Sequence, residues 1–387
     1  MPNILYSFPW EIGASGIGYT AWAQVNELNR LDVNLHLLVG NIKRNFDGDI
    51  FNKMQSMSIG SKKIPAKLFG GMDNAAAFHD FKTAQYIKKN HTKIDVFHCW
   101  PTASEKSLKV AKEFKIPTFL ERPNAHTEFA YAIVKKIYND LGLPQNKKAS
   151  HTAKKDRLLK EEREYKLADY LLCPSDFVAK TFIDRGYPSS KLVRHQYGYD
   201  PARIQLSPNR TAGRFKIIFI GNDAPRKGLH NILQAWQNSI ACKDGEFHIF
   251  GSVDDAYRAH IRGLLKTQGV TFHGFSPDVG KHLNTADCFV LSSFEEGSAL
   301  VTYEARAAGC VLLVSDATGA VVKHGVNGLV HEAGNVQQLT EHLNLLYQTP
   351  ARLQELHQNS ISDIDNLTWA ASAKMLLNEY VAKINQR

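Results

Sequence analysis

The stretch Asp287-Cys-Phe-Val-Leu-Ser-Ser-Phe-Glu-Glu-Gly-Ser-Ala-Leu-Val-Thr-Tyr-Glu-Ala-Arg-Ala-Ala-Gly-Cys-Val-Leu-Leu-Val-Ser315 decides the fold. Its first seven residues, with Cys288 to Leu291 apolar, form a strand-like run, and Val301 to Ala308 predicts a helix. Gly309 closes that helix, and Cys310 to Ser315 starts another strand. Strand, loop, helix and strand in this order predict a parallel unit, with the loop at the carboxyl edge where open α/β sheets bind ligands. Two carboxylates mark the edge, Glu296 on the loop and Glu304 about one turn into the helix. Between them lie the free N–H groups of a helix start, at Ser298, Ala299 and Leu300, which suit an anion such as phosphate. Two hydroxyl-accepting carboxylates around an anion site predict a receptor for a sugar nucleotide.

The same alternation runs along the whole chain and predicts parallel sheets covered on both faces. Strands are expected at 3–8, 34–39, 96–99, 118–121 and 170–173, with helices at 19–30, 76–89, 103–114 and 157–167. A second series has strands at 216–220, 246–250, 270–273, 288–291 and 311–314, with helices following Gly228, Asp255, Pro277, Leu300 and Val336. The Pro-, Gly- and Asn-bearing stretch from Gly198 to Gly213 reads as the linker.

A second constellation is Phe219-Ile-Gly-Asn-Asp-Ala-Pro-Arg-Lys-Gly-Leu229, again after a strand and before a helix. Arg226 and Lys227 are expected to grip a diphosphate, Arg through two parallel N–H donors and Lys as a point charge. Charge builds on those oxygens as a glycosidic bond breaks, so fixed cations there stabilise the transition state. A third is the glycine loop from Ile12 to Gly18, whose Gly16 allows close backbone approach to a phosphate.

Together these stretches resemble the retaining glycosyltransferases of family 4 (GT4). Their signature is two Glu residues eight apart, a small-residue helix and a Gly, and their phosphate loop is Gly-Arg, a few residues, then Lys-Gly. Here Asn222 stands where that Arg is expected. The resemblance implies an α/β chain with the GT-B fold, two Rossmann-like parallel-sheet domains facing a central cleft. Residues 1–205 would form the acceptor-binding domain and 206–368 the nucleotide-sugar-binding domain. Residues 369–387, introduced by Leu367-Thr-Trp-Ala-Ala371, would form a helix crossing back.

It also implies that Glu304 takes ribose hydroxyls, that Glu296 holds the donor sugar, and that His126 in Glu121-Arg-Pro-Asn-Ala-His-Thr127 contacts it. Arg122 and Glu128 are further acceptor-side candidates. The loop Phe272-His-Gly-Phe-Ser276, with Phe275, would meet the base. The expected activity is retaining transfer of a hexose-type sugar from a nucleoside-diphosphate (UDP or GDP) sugar to an acceptor hydroxyl. The acceptor classes are a glycan, a lipid-linked precursor or a small molecule. No cofactor and no metal are expected; Asp47-Gly-Asp49 and Asp363-Ile-Asp365 match a metal motif of another fold but not its position.

Composition agrees with a soluble globular chain, 43% hydrophobic and 22% charged over 387 residues. The N-terminus reads as a first strand rather than a signal peptide, and five scattered cysteines fit a reducing cytoplasm. Residues 1–200 carry 30 Lys+Arg and 21 Asp+Glu, leaving 17 of each from totals of 47 and 38. The basic half predicts an anionic partner, a membrane surface or phosphate-bearing acceptor rather than nucleic acid, for which no motif is present. Phe129, Ile133, Ile137 and Leu141 recur every four residues beside Lys135 and Lys136, with Lys147, Lys148, Lys154 and Lys155 downstream. That basic amphipathic pattern raises peripheral membrane binding beside the plainer reading of a helix packed on the core.

Two other classes compete. Gly13 to Gly18 is one residue short of a dehydrogenase glycine loop, and Tyr131 to Lys135 matches the Tyr-three-residues-Lys motif of nicotinamide-dependent short-chain dehydrogenases. A non-catalytic glycan-binding relative is the other, favoured by Asn222.

Overall fold

A computed structural model describes residues 1–60, 62–145, 151–206 and 213–385. Lys147 and Lys148 lie outside the described residues. The chain builds two parallel sheets. The first contains β1 (Asn3–Ile12), β2 (Asn34–Ile42) and β3 (Asn52–Gln55). After a small antiparallel hairpin, β4 (Ser58–Ile59) and β5 (Lys62–Lys63), it continues with β6 (Val96–Cys99), β7 (Thr118–Glu121), β8 (Tyr170–Cys173) and β9 (Leu192–Arg194). Its order is β3-β2-β1-β6-β7-β8-β9. The second comprises β10 (Lys216–Ile220), β11 (Glu246–Phe250), β12 (Val270–Gly274), β13 (Cys288–Leu291), β14 (Val311–Ser315) and β15 (Gly328–His331), in the order β12-β11-β10-β13-β14-β15.

Strands such as Ile217 to Phe219 and Cys288 to Leu291 are buried along their length, as parallel strands covered on both faces must be. Helices α1 (Ile17–Leu28), α2 (Met72–Asn90), α3 (Glu105–Glu113), α4 (Thr127–Asp140), α5 (Lys155–Leu167) and α6 (Asp176–Ile183) accompany the first sheet. The second has α7 (Leu229–Asn238), α8 (Asp255–His260), α9 (Val279–Leu283), α10 (Leu300–Ala307), α11 (Val336–Gln348) and α12 (Pro350–Ile361).

The last helix, α13 (Trp369–Ile384), follows the second sheet in sequence yet packs against the first. Its Ala373, Leu376 and Tyr380 share a cluster with Ile4, Phe8 and Val25, and the Tyr380 hydroxyl meets His98 Nδ1. Each large apolar side chain so buried contributes roughly 1.5–3 kcal/mol. The crossing is pinned where it passes the linker: Tyr199 N–H donates to Leu367 O (3.0 Å) and Trp369 N–H to Tyr199 O (3.1 Å).

Most of the apolar stripe of α4 is packed on the protein, in line with the plainer reading. Helix α4 buries Ala130, Tyr131, Val134, Ile137 and Tyr138, Phe129 packs edge-on against Phe177, and Leu141 packs against the core of the second sheet. Four-residue spacing identified an apolar face but not its occupant, which is the protein itself. No helix among the described residues is long and apolar enough to cross a membrane.

Candidate functional site

Strand order brings the site together. In the second sheet β10 and β13 are neighbours, while the chain leaves them toward opposite sides, so a crevice opens between the loops that follow them. The loop after β10 carries Arg226 and Lys227, and the loop after β13 carries Glu295 and Glu296. The two loops are tied by Phe294 N–H donating to Arg226 O at 2.9 Å.

Arg226 is buried among three carboxylates. Its Nε donates to Asp223 Oδ2 (2.8 Å), Nη1 to Glu295 Oε2 (3.1 Å), and Nη2 lies 3.3 Å from Glu296 Oε1. Lys227 Nζ forms a close ion pair with the same Glu296 oxygen. Burial alone raises the Glu296 carboxyl; Arg226 and then Lys227 outweigh it and bring it down to about 2. Glu296 and the cationic pair therefore meet in one place, as ion partners of each other. Lys227 has three donors and Arg226 five, so each can hold a carboxylate and a phosphate oxygen together.

Glu304 sits apart from this knot, half-buried on α10, its carboxylate in no hydrogen bond or ion pair among the described residues. Burial raises its carboxyl, and Arg203 partly offsets the effect. Arg203 stacks over Tyr19 of α1 at 5.5 Å, so the start of α1, in the first domain, faces α10 in the second. Gly16 caps α1 from an exposed position with φ of +70°, a conformation that favours glycine, and a Cβ there would meet nothing within 4 Å.

Helix α10 begins at Leu300 with Ala299 at its cap and no side-chain cap; Ala299 N–H, expected free, donates to Thr318 O (3.4 Å) and Thr302 N–H to Ala299 O (2.9 Å), which leaves the N–H groups of Leu300 and Val301 open. The Ser298 hydroxyl is engaged with Tyr303 Oη (2.8 Å) and Gly319 O (2.9 Å), which leaves only its backbone facing outward chemistry. Phe275 lies on the loop after β12 with its ring 76% exposed.

His126 is placed differently from the expectation. Its side chain is fully enclosed in the first domain, where Nδ1 caps α4 through Glu128 N–H (3.3 Å) and the ring packs edge-on against Tyr165 and Phe182. Burial, then Arg122 and Arg185, hold it neutral with a pKa of about 3. The chain turns into a helix directly after this residue, which points the imidazole inward rather than across the cleft. Arg122 is enclosed too, bonded to Glu161 Oε2 (3.3 Å) and stacked on Tyr165. Glu128 is exposed and pairs with Arg185 at 3.0 Å. Asn222, where the resemblance places an Arg, is held through its Oδ1, which accepts from Ser252 N–H (2.9 Å) and Oγ–H (2.8 Å). The dehydrogenase-like pair is split, Tyr131 buried and Lys135 exposed on α4. Asp47 pairs with Arg30 and Asp363 with Arg306. Among the described residues no group of three or more His, Cys, Asp or Glu could hold a metal ion.

Glu295 is the residue that the sequence reading overlooked. It is fully buried and joins the domains: Oε1 accepts from Ala125 N–H (3.0 Å) and Oε2 from Arg226, with His151 at 3.4 Å. Beside it, Gly297 carries no side chain because a Cβ would come within 1.8 Å of Pro123 O. The Ser175 hydroxyl donates to Gly297 O across the same seam.

Residues 214–349 match the family model of the glycosyl transferases group 1. The relatives include spore coat protein SA of Bacillus subtilis, 29% identical over 43% of this chain and 49% of the relative. A D-inositol 3-phosphate glycosyltransferase of Rhodococcus erythropolis is 26% identical over 67% of this chain and 62% of the relative. The match thus spans about half to three-fifths of these relatives' own length. Among solved structures, the lipopolysaccharide outer core galactosyltransferase WaaB aligns over 98% of this chain and 99% of its own, at 17% identity and a TM-score of 0.70. Anabaena HepE in complex with UDP-glucose aligns over 98% and 99%, at 15% identity and 0.62. The fold is GT-B, as the resemblance implied.

Proposed function

We propose that the protein is a retaining, metal-independent glycosyltransferase that moves a hexose-type sugar from a nucleoside-diphosphate donor to an acceptor hydroxyl. The observation that carries this reading is the convergence of Arg226 and Lys227 on Glu296 at the crevice between β10 and β13, beside the open start of α10. In this reading Glu304 accepts the ribose hydroxyls, and its lack of an internal partner leaves both oxygens ready for them. The diphosphate takes donors from Arg226, Lys227 and the α10 N–H groups, while Glu296 keeps its lone pairs for sugar hydroxyls. The C1–O bond to the diphosphate breaks, the acceptor oxygen bonds C1 on the same face, and the acceptor proton passes to the departing phosphate oxygen. No side-chain base is required, which agrees with a site whose free carboxylates are committed to binding.

The structural neighbour HepE, solved in complex with UDP-glucose, supports the donor class. An acceptor bearing phosphate, like the inositol phosphate in the name of one relative, agrees with the basic first half of the chain. The test is release of nucleoside diphosphate and transfer from a panel of UDP- and GDP-hexoses, with the anomeric product followed by NMR. Turnover of any donor with retained configuration supports the reading. Inertness of all donors, or an inverted product, overturns it.

A further inference from the structure

A second cavity, of about 420 Å³, opens where the domains are joined, between α1, the linker and the start of α13. Neither Arg226, Lys227, Glu296 nor Glu304 lines it. One side is aromatic. Tyr19 and Trp22 lie nearly parallel, with ring centres 5.9 Å apart and planes at 27°, and Trp369 meets Tyr19 edge-on at 6.2 Å. The Arg44 guanidinium holds both Tyr19 and Trp22, at 5.4 and 4.6 Å, and the Trp22 indole N–H donates to Asn45 O at 2.9 Å. These rings are therefore fixed rather than mobile.

Toward the end of α1 the same face becomes polar. Asn26 Nδ2 donates to Asp47 Oδ2 (3.1 Å) and Glu27 Oε1 (3.2 Å), and Arg30 bridges the same two carboxylates. An ionised carboxylate offers about four acceptor positions, so both keep capacity for a ligand hydroxyl. Asp200 adds a third carboxylate at the linker. Trp369, 4% exposed, closes the linker end of the cavity; its indole nitrogen is itself shut off, so the residue offers a ligand its ring rather than a hydrogen bond.

Aromatic rings that run on into polar side chains along one helix face fit one ligand class well. The C–H face of a pyranose lies against the rings, and its hydroxyls, each donor and acceptor at once, take the carboxylates, amide and guanidinium. The volume falls in the range of small-ligand sites, roughly 300–1,000 Å³. We infer that this cavity is a second saccharide-binding site, separate from the donor crevice and able to hold one pyranose unit. Its occupant touches α1 of the first domain and both strands that cross between the domains, at 199–202 and 368–370.

The test is ligand-observed NMR titration of the full chain with methyl α-glucopyranoside, methyl α-galactopyranoside and N-acetylglucosamine. Saturable binding of at least one is expected. It should persist in Lys227→Ala and Glu304→Ala, and weaken at least tenfold in Trp22→Ala and in Asp47→Ala. Asp47 lies on an exposed segment, so its variant decides the matter should Trp22→Ala fail to fold. No saturable binding of any probe below about 50 mM, a concentration well above even a weak millimolar Kd, overturns the inference. So does binding that vanishes in Lys227→Ala or survives both cavity variants unchanged. Because the readout is binding rather than turnover, it stands or falls independently of the donor assignment.

Discussion

Arg226 and Lys227 are adjacent, both cationic and both on Glu296, yet the structure predicts that their removal differs in kind. Lys227→Ala leaves Glu296 paired with Arg226 Nη2 at 3.3 Å, so the fold should persist. What is lost is a charge-assisted contact to the leaving diphosphate, worth roughly 1.5–3 kcal/mol, or about tenfold to a hundredfold in turnover. Arg226→Ala instead removes the shared counter-ion of Asp223, Glu295 and Glu296, of which Glu295 is fully buried. Leaving a buried charge without its partner costs about 3–5 kcal/mol. For a domain of this size that corresponds to a fall in Tm of about 6–20 °C. Differential scanning calorimetry of the two variants, beside turnover with a working donor, separates the effects. A Lys227→Ala protein that melts early, or an Arg226→Ala protein as stable as wild type, would refute the reasoning.

Glu304→Ala should weaken nucleotide diphosphate binding about tenfold, the loss of a roughly 1.4 kcal/mol hydrogen-bonded contact, without lowering Tm; unchanged affinity by calorimetry counts against the ribose role. Glu296 and Glu161 both have folded carboxyl pKa values near 2 against an ordinary 4.5, held down by Arg226 and Lys227 or by Arg122 and Arg157 despite burial. A depressed folded pKa stabilises above the unfolded value and is lost as pH falls, so stability should decline below about pH 4.5 by about 3 kcal/mol for each group. Urea titrations at pH 6 and pH 3 give the slope, and Glu161→Gln should flatten it. Turnover should be unaffected by EDTA; a loss restored by a divalent cation would remove metal independence from the proposal.

The apolar runs at 96–99, 118–121, 170–173, 216–220, 246–250 and 288–291 were legible as strands to the residue, because buried parallel strands are apolar on both faces. The edge strands at 52–55 and 192–194 were not. Asn52-Lys-Met-Gln carries no apolar run, since an edge strand faces solvent on one side. The loops bearing Arg226, Lys227 and Glu296 were also readable, each lying between an apolar strand and a small-residue helix. What could not be read was the direction of side chains that depend on distant partners. Glu295 differs from Glu296 only by one position, and its role comes from Ala125, 170 residues away. His126 was expected at the donor sugar through the resemblance alone, whereas a lone His after a strand is more often structural; the helix that begins at the next position turns its ring into the aromatic cluster around Tyr165. The Arg expected at Asn222 is likewise a question of space: Asn222 is occupied with Ser252, while Arg226 stands at the crevice.

The most direct test of the central claim is a crystal structure of the protein with UDP or GDP bound. The account predicts ribose hydroxyls on the Glu304 carboxylate and phosphate oxygens within hydrogen-bond reach of Lys227 Nζ and Arg226. Nucleotide seated anywhere outside the crevice between β10 and β13, with those side chains still paired only to one another, would contradict it.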